Sequence, residues 1–156
     1  MTISLRPLAD ADLDDVHRWE SDPDATAMAA FTREDPTDRA AFDAHYRRVR
    51  ADPTNLLLVI EDDGRLVGTI SSFTIDGERE VSYWIDPERW GRGIASAALR
   101  LFLDRELERP LHARTAAHNL ASAAVLRRAG FVRIGTETSW APGVGRDVVE
   151  HIHRLD

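Results

Sequence analysis

Two Asp-Gly dipeptides in the middle of the chain limit its possible folds more than any other feature. Asp63-Gly64 and Asp76-Gly77 are each flanked by strand-forming residues, and Asp-Gly is a strong signal for the tight turn of a β-hairpin. The apolar run from Leu56 to Ile60 is typical of a strand that is covered on both faces. We therefore predict three consecutive antiparallel strands, over residues 56–60, 66–75 and 80–86.

A glycine turn and an amphipathic helix follow the third strand. Ile94, Ala98, Leu101 and Phe102 recur at helical spacing after Gly91 and Gly93. Glycines let the backbone approach a ligand closely, and the free N–H groups of a first helical turn attract anions such as a pyrophosphate. The spacing fits neither a P-loop, which needs a lysine, nor GxGxxG, which needs glycine where Ser96 stands. On these residues alone, phosphate binding and a plain strand-to-helix turn both stay open.

Composition sets the broad class of the protein. A chain of 156 residues fits one domain, over residues 1–156, with a core that needs no disulfides. Cysteine is absent, no apolar run approaches a membrane span, and the N-terminus lacks a signal-peptide pattern, so we expect a cytoplasmic protein with no membrane partner. A net charge of −7 argues against a nucleic-acid surface and mildly favours cationic partners.

The N-terminal third predicts one strand and two helices. The strand covers residues 2–7, and the first helix begins with Asp10 as its N-cap and an acidic first turn. That acidic run could attract a cationic substrate or could be a solvated face. Periodicity fades over residues 21–35, which we interpret as a loop. A second helix then begins with Asp35 as cap and Pro36 in its first position, and runs to about Arg50.

The C-terminal half continues with alternating elements. The helix after the glycine turn is expected over about residues 91–107, a strand over 111–116, and a short helix from its cap Asn119 to Gly130. Two closing strands, 131–138 and 147–153, are separated by a loop. The resulting order, βααβββαβαββ, predicts an α/β fold with a mixed sheet and helices on both faces.

Three motifs in this order resemble a known family. They are the sequences IDP (85–87), WGRGIA (90–95) and HNLASAAVLRRAGF (118–131). Together they resemble the GNAT superfamily of acyl-CoA-dependent N-acetyltransferases over essentially the whole chain. The stretch EVSYWIDPERWGRGIA is most similar to the ribosomal-protein N-terminal acetyltransferase-like branch. The resemblance implies a mostly antiparallel sheet of six to seven strands, acetyl-CoA as acetyl donor and no metal.

The resemblance also implies where acetyl-CoA binds. The strand before the glycine turn would splay from the next strand, and the pantetheine arm would lie in that gap. The pyrophosphate would bind the backbone N–H groups of residues 92–96, and Arg127 or Arg128 could reach the nucleotide. The family motif usually begins with Gln or Arg where this chain has Trp90. The expected cofactor-binding residues are Trp84, Ile85, Asp86, Gly91, Arg92, Gly93, Ile94, Ala95, Ser96, Asn119 and Ser122.

Acetylation of an amine needs a base, because an amine with a pKa near ~10.4 is almost fully protonated at neutral pH. Glu80 is the first candidate, since it shares a strand face with Ser82 and Trp84. It could equally be a surface charge at a strand start beside Arg79. His118 is a second candidate for moving the proton.

The leaving thiolate benefits from a proton donor. Many relatives carry a tyrosine at the position held here by Leu126, so we expect Ser122 to act instead. Asn119 and Ser122 could also do no more than cap a helix. His151 and His153 are too few to form a metal site.

The sequence therefore predicts an acetyl-CoA-dependent N-acetyltransferase in which a primary amine attacks the thioester directly in a ternary complex. The alternatives are a non-catalytic module that senses acyl-CoA and a nucleotide-binding regulatory protein. The acceptor could be a small molecule or a protein N-terminus, in a pocket formed by residues 21–35 and 139–145. The closing strands could pair across a homodimer.

Overall fold

The computed structural model describes all 156 residues, and both Asp-Gly turns form as predicted. In each turn the Asp and the Gly both have positive φ, between 50° and 80°, as a type I′ turn requires. The turns connect β2 (Leu56–Asp62), β3 (Arg65–Ile75) and β4 (Glu78–Ile85). The predicted three-stranded antiparallel unit is confirmed.

The complete sheet has seven strands in the order β1-β2-β3-β4-β5-β7-β6. The others are β1 (Ile3–Pro7), β5 (Leu111–Ala116), β6 (Val132–Ala141) and β7 (Arg146–Leu155). Every neighbouring pair is antiparallel except β4 and β5, which are parallel. The mixed, mostly antiparallel sheet is confirmed.

Five α-helices accompany the sheet, one more than the predicted order contains. They are α1 (Leu13–Glu20), α2 (Pro23–Ala29), α3 (Arg39–Ala51), α4 (Ile94–Leu103) and α5 (Leu120–Arg128). The additional helix is α2, which lies within residues 21–35, the segment interpreted from the sequence as a loop. Asp22 caps it by accepting from the Ala25 N–H at 2.9 Å, and Pro23 occupies its first position.

The predicted helix starts at Asp10 and Asp35 are wrong. Asp10 opens a 3₁₀ turn, and Asp12 accepts from the Ala9 N–H and from Arg6. Asp35 accepts from the backbone and hydroxyl of Thr37 in a separate turn. Asp38 is the true cap of α3, because it accepts from the Ala41 N–H. Several aspartates in this region could accept a hydrogen bond from the first turn of a helix. The local backbone conformation determines which of them caps one.

Two further boundaries differ from the prediction. The helix after the glycine turn, α4, ends at Leu103 rather than near Leu107, and the chain beyond it turns so that Glu106 is buried. The strands β6 and β7 extend towards each other, so that only residues 142–145 remain of the predicted 139–145 loop.

The core has one layer on each face of the sheet, as the alternating elements predict. Phe102, Leu99 and Leu126 from α4 and α5 pack with Ile70 and Leu111 on one face. On the other face a smaller cluster joins α1 and α3 to the sheet, through Val16, Trp19, Phe42, Tyr46 and Val59. None of the helices has the length and apolarity to cross a membrane.

A buried polar cluster lies where β3, β4 and the turn after α4 meet. Arg79 Nε donates to Glu106 Oε1 at 2.6 Å, Ser72 donates to the same oxygen, and Arg79 also donates to Ser72 Oγ at 3.1 Å. Burial disfavours the charged form of Glu106, but the hydrogen bonds from Ser72 and Arg79 outweigh it and lower the pKa. This cluster fixes the first residues of β4 against the helical layer.

We predict that Glu106→Gln lowers the free energy of unfolding by about 3–5 kcal/mol, because it leaves the Arg79 guanidinium buried without a charged partner. Asp15→Asn, which breaks the exposed ion pair with Arg18, should change it by about 0–1 kcal/mol. Urea unfolding measures both. Equal effects of the two variants would contradict a stabilising role for the buried ion pair.

The stabilisation by Glu106 also depends on pH. Since folding lowers the Glu106 pKa, the contribution of the ionised carboxylate to stability is complete above the ordinary pKa of 4.5 and is lost as the pH falls through the pKa of the folded state.

Candidate functional site

A gap opens between β4 and β5 directly after their first residues. The two strands pair only at Arg79 with Leu111 and at Glu80 with His112. On its other side, β4 stays paired with β3 along its whole length, and the Asp86 N–H continues that ladder to the Val67 carbonyl at 2.9 Å. The predicted splay between these strands is therefore present.

The edge of β4 that faces the gap offers backbone hydrogen-bonding groups. In an antiparallel pair, alternate residues bond to the partner strand, and Asp86 and Trp84 are on the side of β3. Tyr83 and Ile85 therefore direct their backbone groups towards the gap. One of these, the Ile85 carbonyl, accepts from the Trp90 indole N–H at 3.1 Å.

The gap widens into a cavity of about 580 Å³. Its walls are the end of β4, the glycine turn, the start of α5 and one side of α2. Ten of the eleven expected cofactor-binding residues line it, namely Trp84, Ile85, Gly91, Arg92, Gly93, Ile94, Ala95, Ser96, Asn119 and Ser122. Asp86 does not line it, and its carboxylate accepts from the Glu88 N–H.

The glycine turn presents free backbone donors to this cavity. Gly91 and Gly93 have φ of 76° and 79°, a conformation that residues with a Cβ rarely adopt. The first helical bond runs from the Ala97 N–H to the Gly93 carbonyl at 3.1 Å, so the N–H groups of residues 91–96 have no backbone acceptor. They meet the requirement for an anion site at a helix N-terminus.

Arginines add positive charge around the same turn. Arg89, Arg92 and Arg128 all line the cavity, whereas Arg127 does not. The Arg89 Nε is buried, lies 3.5 Å from Asp86 Oδ2 and makes no hydrogen bond. The positive charge of Arg92 and Arg128 beside a row of free N–H groups fits a phosphate-bearing ligand.

Asn119 and Ser122 meet a residue that the sequence interpretation missed. Asn119 caps α5, with its Oδ1 accepting from the Ser122 N–H at 3.2 Å. The Tyr83 hydroxyl lies 2.7 Å from Ser122 Oγ, so β4 and α5 touch across the gap. Burial raises the pKa of Tyr83 to about 12, and the phenol is therefore protonated at neutral pH. The sequence could have indicated this role for Tyr83, because strand alternation places its hydroxyl group on the face opposite Glu80.

Glu80 lies on the other face of β4 and lines neither the cavity beside the gap nor the second cavity described below. Its Oε1 is 3.3 Å from the Arg114 Nε, and its side chain is 18% exposed. Burial raises the pKa of Glu80 above the ordinary value, although Arg114 acts in the opposite direction. The carboxylate is thus a better proton acceptor near neutral pH than an exposed glutamate.

A second cavity, of about 550 Å³, lies on the Glu80 side of the sheet. It is bounded by α3, by β2 to β4 and by residues of the segment 31–36. Tyr83 and Trp84 line both cavities, so the two spaces meet at β4. Of the predicted acceptor pocket, the segment 21–35 contributes, whereas residues 139–145 line neither cavity. Gly143 instead packs on α2, with its N–H donating to the Ala30 carbonyl at 2.8 Å.

The histidines have separate positions. His118 lines the first cavity, and its Nε2 lies 2.9 Å from the Ala27 carbonyl of α2. His153 is buried, with its Nε2 2.9 Å from Thr115 Oγ1, and burial lowers its pKa. The His151 ring is 6.5 Å away, and no group of three side chains is arranged to hold a metal ion.

Comparison with known proteins adds independent evidence. The family model described as an acetyltransferase (GNAT) domain matches residues 2–132. The chain is 32% identical over 123 residues to a mycothiol acetyltransferase from Clavibacter sepedonicus. That match covers 76% of this chain but 40% of the relative, so the chain spans less than half the length of that protein.

Solved structures share the fold over nearly the whole chain. Mycobacterium smegmatis RimJ, in complex with CoA-disulfide, is 25% identical with a TM-score of 0.77, covering 98% of this chain and 82% of that one. A spermidine N-acetyltransferase from Vibrio cholerae, in complex with CoA and spermine, is 20% identical with a TM-score of 0.78, covering 97% and 95% of the two chains. The second likeness shows the fold alone.

Proposed function

Because the chain belongs to the GNAT acetyltransferase family, we propose that it transfers an acetyl group from acetyl-CoA to a primary amine by direct attack in a ternary complex. The observation that carries this proposal is the pair of cavities that meet at Tyr83 and Trp84, one on each side of β4. Two substrates can then approach a common point from opposite faces of the sheet. Such an arrangement needs no covalent enzyme intermediate.

The first cavity is the proposed site for acetyl-CoA, which supplies the acetyl group as an activated thioester. The backbone of Tyr83 and Ile85 would bind the amide groups of its pantetheine arm. The N–H groups of residues 91–96, with Arg92 and Arg128, would bind its phosphates, and Asn119 has an amide group beside them. The Trp90 side chain is not needed for this, since its indole holds the Ile85 carbonyl.

Glu80 is the proposed base, acting directly or through a water. It lies on the acceptor face of β4, where its neighbour Ser82 and its cross-strand partner Phe73 both line the second cavity. Its raised pKa suits removal of a proton from an ammonium group. The amine nitrogen then bonds to the carbonyl carbon, the carbon–sulfur bond breaks, and the thiolate must be stabilised or protonated.

Ser122 is the proposed donor to that thiolate, and Tyr83 supports it. The two hydroxyls form a hydrogen-bonded pair in the first cavity, and they would take the role that the family resemblance assigns to a tyrosine at the position of Leu126. Since the phenol of Tyr83 is protonated, the pair has a proton to donate at neutral pH.

One observation favours the alternative of an acyl-CoA-sensing module without turnover, namely that Arg114 contacts the Glu80 carboxylate. An acylation assay decides between the two functions. Turnover of any amine supports the enzyme, whereas CoA binding without turnover across a broad amine panel supports the sensor.

The branch and the assembly are also proposals. The likeness to RimJ supports the ribosomal-protein N-terminal acetyltransferase-like branch, and the acceptor is either a protein N-terminus or a small amine. The edge strand β6 exposes Val132, Ile134 and Trp140, which supports pairing of two copies along this edge. A dimeric molar mass in sedimentation is the expected result, and a monomer at all concentrations would contradict it.

We predict that Glu80→Gln lowers kcat by about 10²–10⁴-fold, the usual contribution of a general base, without weakening CoA binding. Steady-state rates with a saturating amine measure the loss. Glu137→Gln is the matched control, because Glu137 also contacts Arg114, at 2.9 Å, from β6. A similar loss in both variants would mean that Arg114 is the important residue and would contradict the role of Glu80.

We predict that Tyr83→Phe and Ser122→Ala each lower kcat, and that the double variant is no slower than the slower single variant. Two residues that act as one proton-donating unit give such non-additive effects. Calorimetric titration with CoA should show affinity within a few-fold of the parent protein. Additive losses, or loss of CoA binding in step with kcat, would contradict the donor role.

A further inference from the structure

We propose that the acceptor is a small amine that also carries a carboxylate, such as a free amino acid, and that Arg33 binds this carboxylate in the second cavity. This inference rests on the proposed acetyl transfer and adds the chemical class of the acceptor. It follows from which polar groups of the second cavity already have partners and which do not.

The carboxylates of the second cavity are already bonded. Glu20 accepts from Arg33 at 3.0 Å through Oε1 and from the Tyr46 hydroxyl at 2.6 Å through Oε2. Asp52 lies at the surface, and its Oδ1 accepts from the backbone and hydroxyl of Thr54 at 2.9 and 2.7 Å. Glu20 and Asp52 are the two acidic residues that line this cavity. Glu20 is thus engaged through both oxygens, and a second ammonium group on the acceptor would find only the surface carboxylate of Asp52 open to it.

Arg33, in contrast, has a donor left over. Its Nη2 donates to Glu20 and its Nε is buried, whereas its Nη1 makes no hydrogen bond and is accessible. The guanidinium carbon lies 5.4 Å from the Phe42 ring centroid, and the side chain is 25% exposed. Glu20 and Phe42 thus hold the planar group in place. A fixed guanidinium whose Nη1 is unpaired and accessible is suited to a carboxylate.

The remaining lining favours the same ligand. Thr69 and Ser71 of β3 and Ser82 of β4 add hydroxyl groups to the cavity wall. His45 adds no positive charge at neutral pH, because burial and then the charge of Arg33 lower its pKa. Arg33 is therefore the cation of this cavity, and a volume of about 550 Å³ suits a small molecule. The net charge of −7 mildly favours cationic partners, whereas Arg33 favours an acceptor that also carries an anionic group.

The test compares matched amines that differ only in the carboxylate. Initial rates are measured with acetyl-CoA for a set of amino acids, for their carboxamides, for the corresponding decarboxylated amines and for spermidine. We expect kcat/KM to be about 10-fold or more higher for the amino acids than for their carboxamides, since a hydrogen bond to a charged carboxylate is stronger than one to a neutral amide. Thermal unfolding with CoA and each amine gives a second readout that does not require turnover.

Arg33→Gln should reduce this preference to about 3-fold or less, while stabilisation by CoA stays unchanged. It also frees Glu20 Oε1, so amines without a carboxylate should gain. The matched control is Arg47→Gln, at an exposed position of α3 outside both cavities, which should leave the preference unchanged.

Three results would overturn the inference while the proposed function stands: equal use of carboxamides or spermidine, a preference that survives Arg33→Gln, or CoA binding with no amino acid acetylated or bound. If CoA does not stabilise the unmodified protein and no amine is acetylated, the proposed function is wrong, and this inference fails with it.

Discussion

The site depends on the incomplete pairing of β4. This strand is fully paired with β3, but it pairs with β5 at two positions only, Arg79 with Leu111 and Glu80 with His112. Backbone N–H and C=O groups inside a protein need partners, so the free edge beyond Glu80 is unfavourable unless water or a ligand completes it. Folding therefore leaves one strand edge available for an extended ligand.

The closed end of that gap is held firmly, which keeps the open end in place. The cluster of Arg79, Glu106 and Ser72 ties the start of β4 to the turn after α4. On the side of β3, Gly68 permits close approach, because a Cβ there would lie 2.6 Å from the Trp84 carbonyl oxygen. The position of β4 is thus fixed by polar contacts at one end and by a glycine at the other.

The alternation of side chains along β4 divides the chemistry between two faces. Tyr83 lies towards α5 and Ser122, where the donor would bind. Ser82 and Trp84 line the second cavity, and Glu80 is on the same strand face but beside Arg114, outside that cavity. The loop and helix between α1 and α3 cover both spaces, since α2 lines the first cavity and Arg33 the second. A single strand therefore brings together a donor site, an acceptor site and the candidate base.

Local signals account for the parts of the fold that could be predicted from the sequence. The Asp-Gly turns, the Asn119 cap and the helical spacing after Gly93 act over a few residues, and each predicted element formed. The short helix α2 carries a local start signal in Asp22 and Pro23, but its buried residues Ala25 and Thr26 give no amphipathic pattern, and it was therefore missed. The contacts of Tyr83 with Ser122 and of Arg33 with Glu20 join distant parts of the chain. They follow from packing, which no local pattern encodes.

The central claim is that the gap beside β4 and the glycine turn bind the acetyl donor. The most direct test is thermal unfolding of the protein with acetyl-CoA, CoA or ATP at equal concentration. A ligand that binds only the native state at 100 times its Kd stabilises it by about 2.7 kcal/mol, or roughly 5–10 °C for a chain of this size. If the gap and the glycine turn bind the acetyl donor, acetyl-CoA and CoA will give such a shift and ATP will not. No shift with either CoA species, or an equal shift with ATP, would contradict this claim.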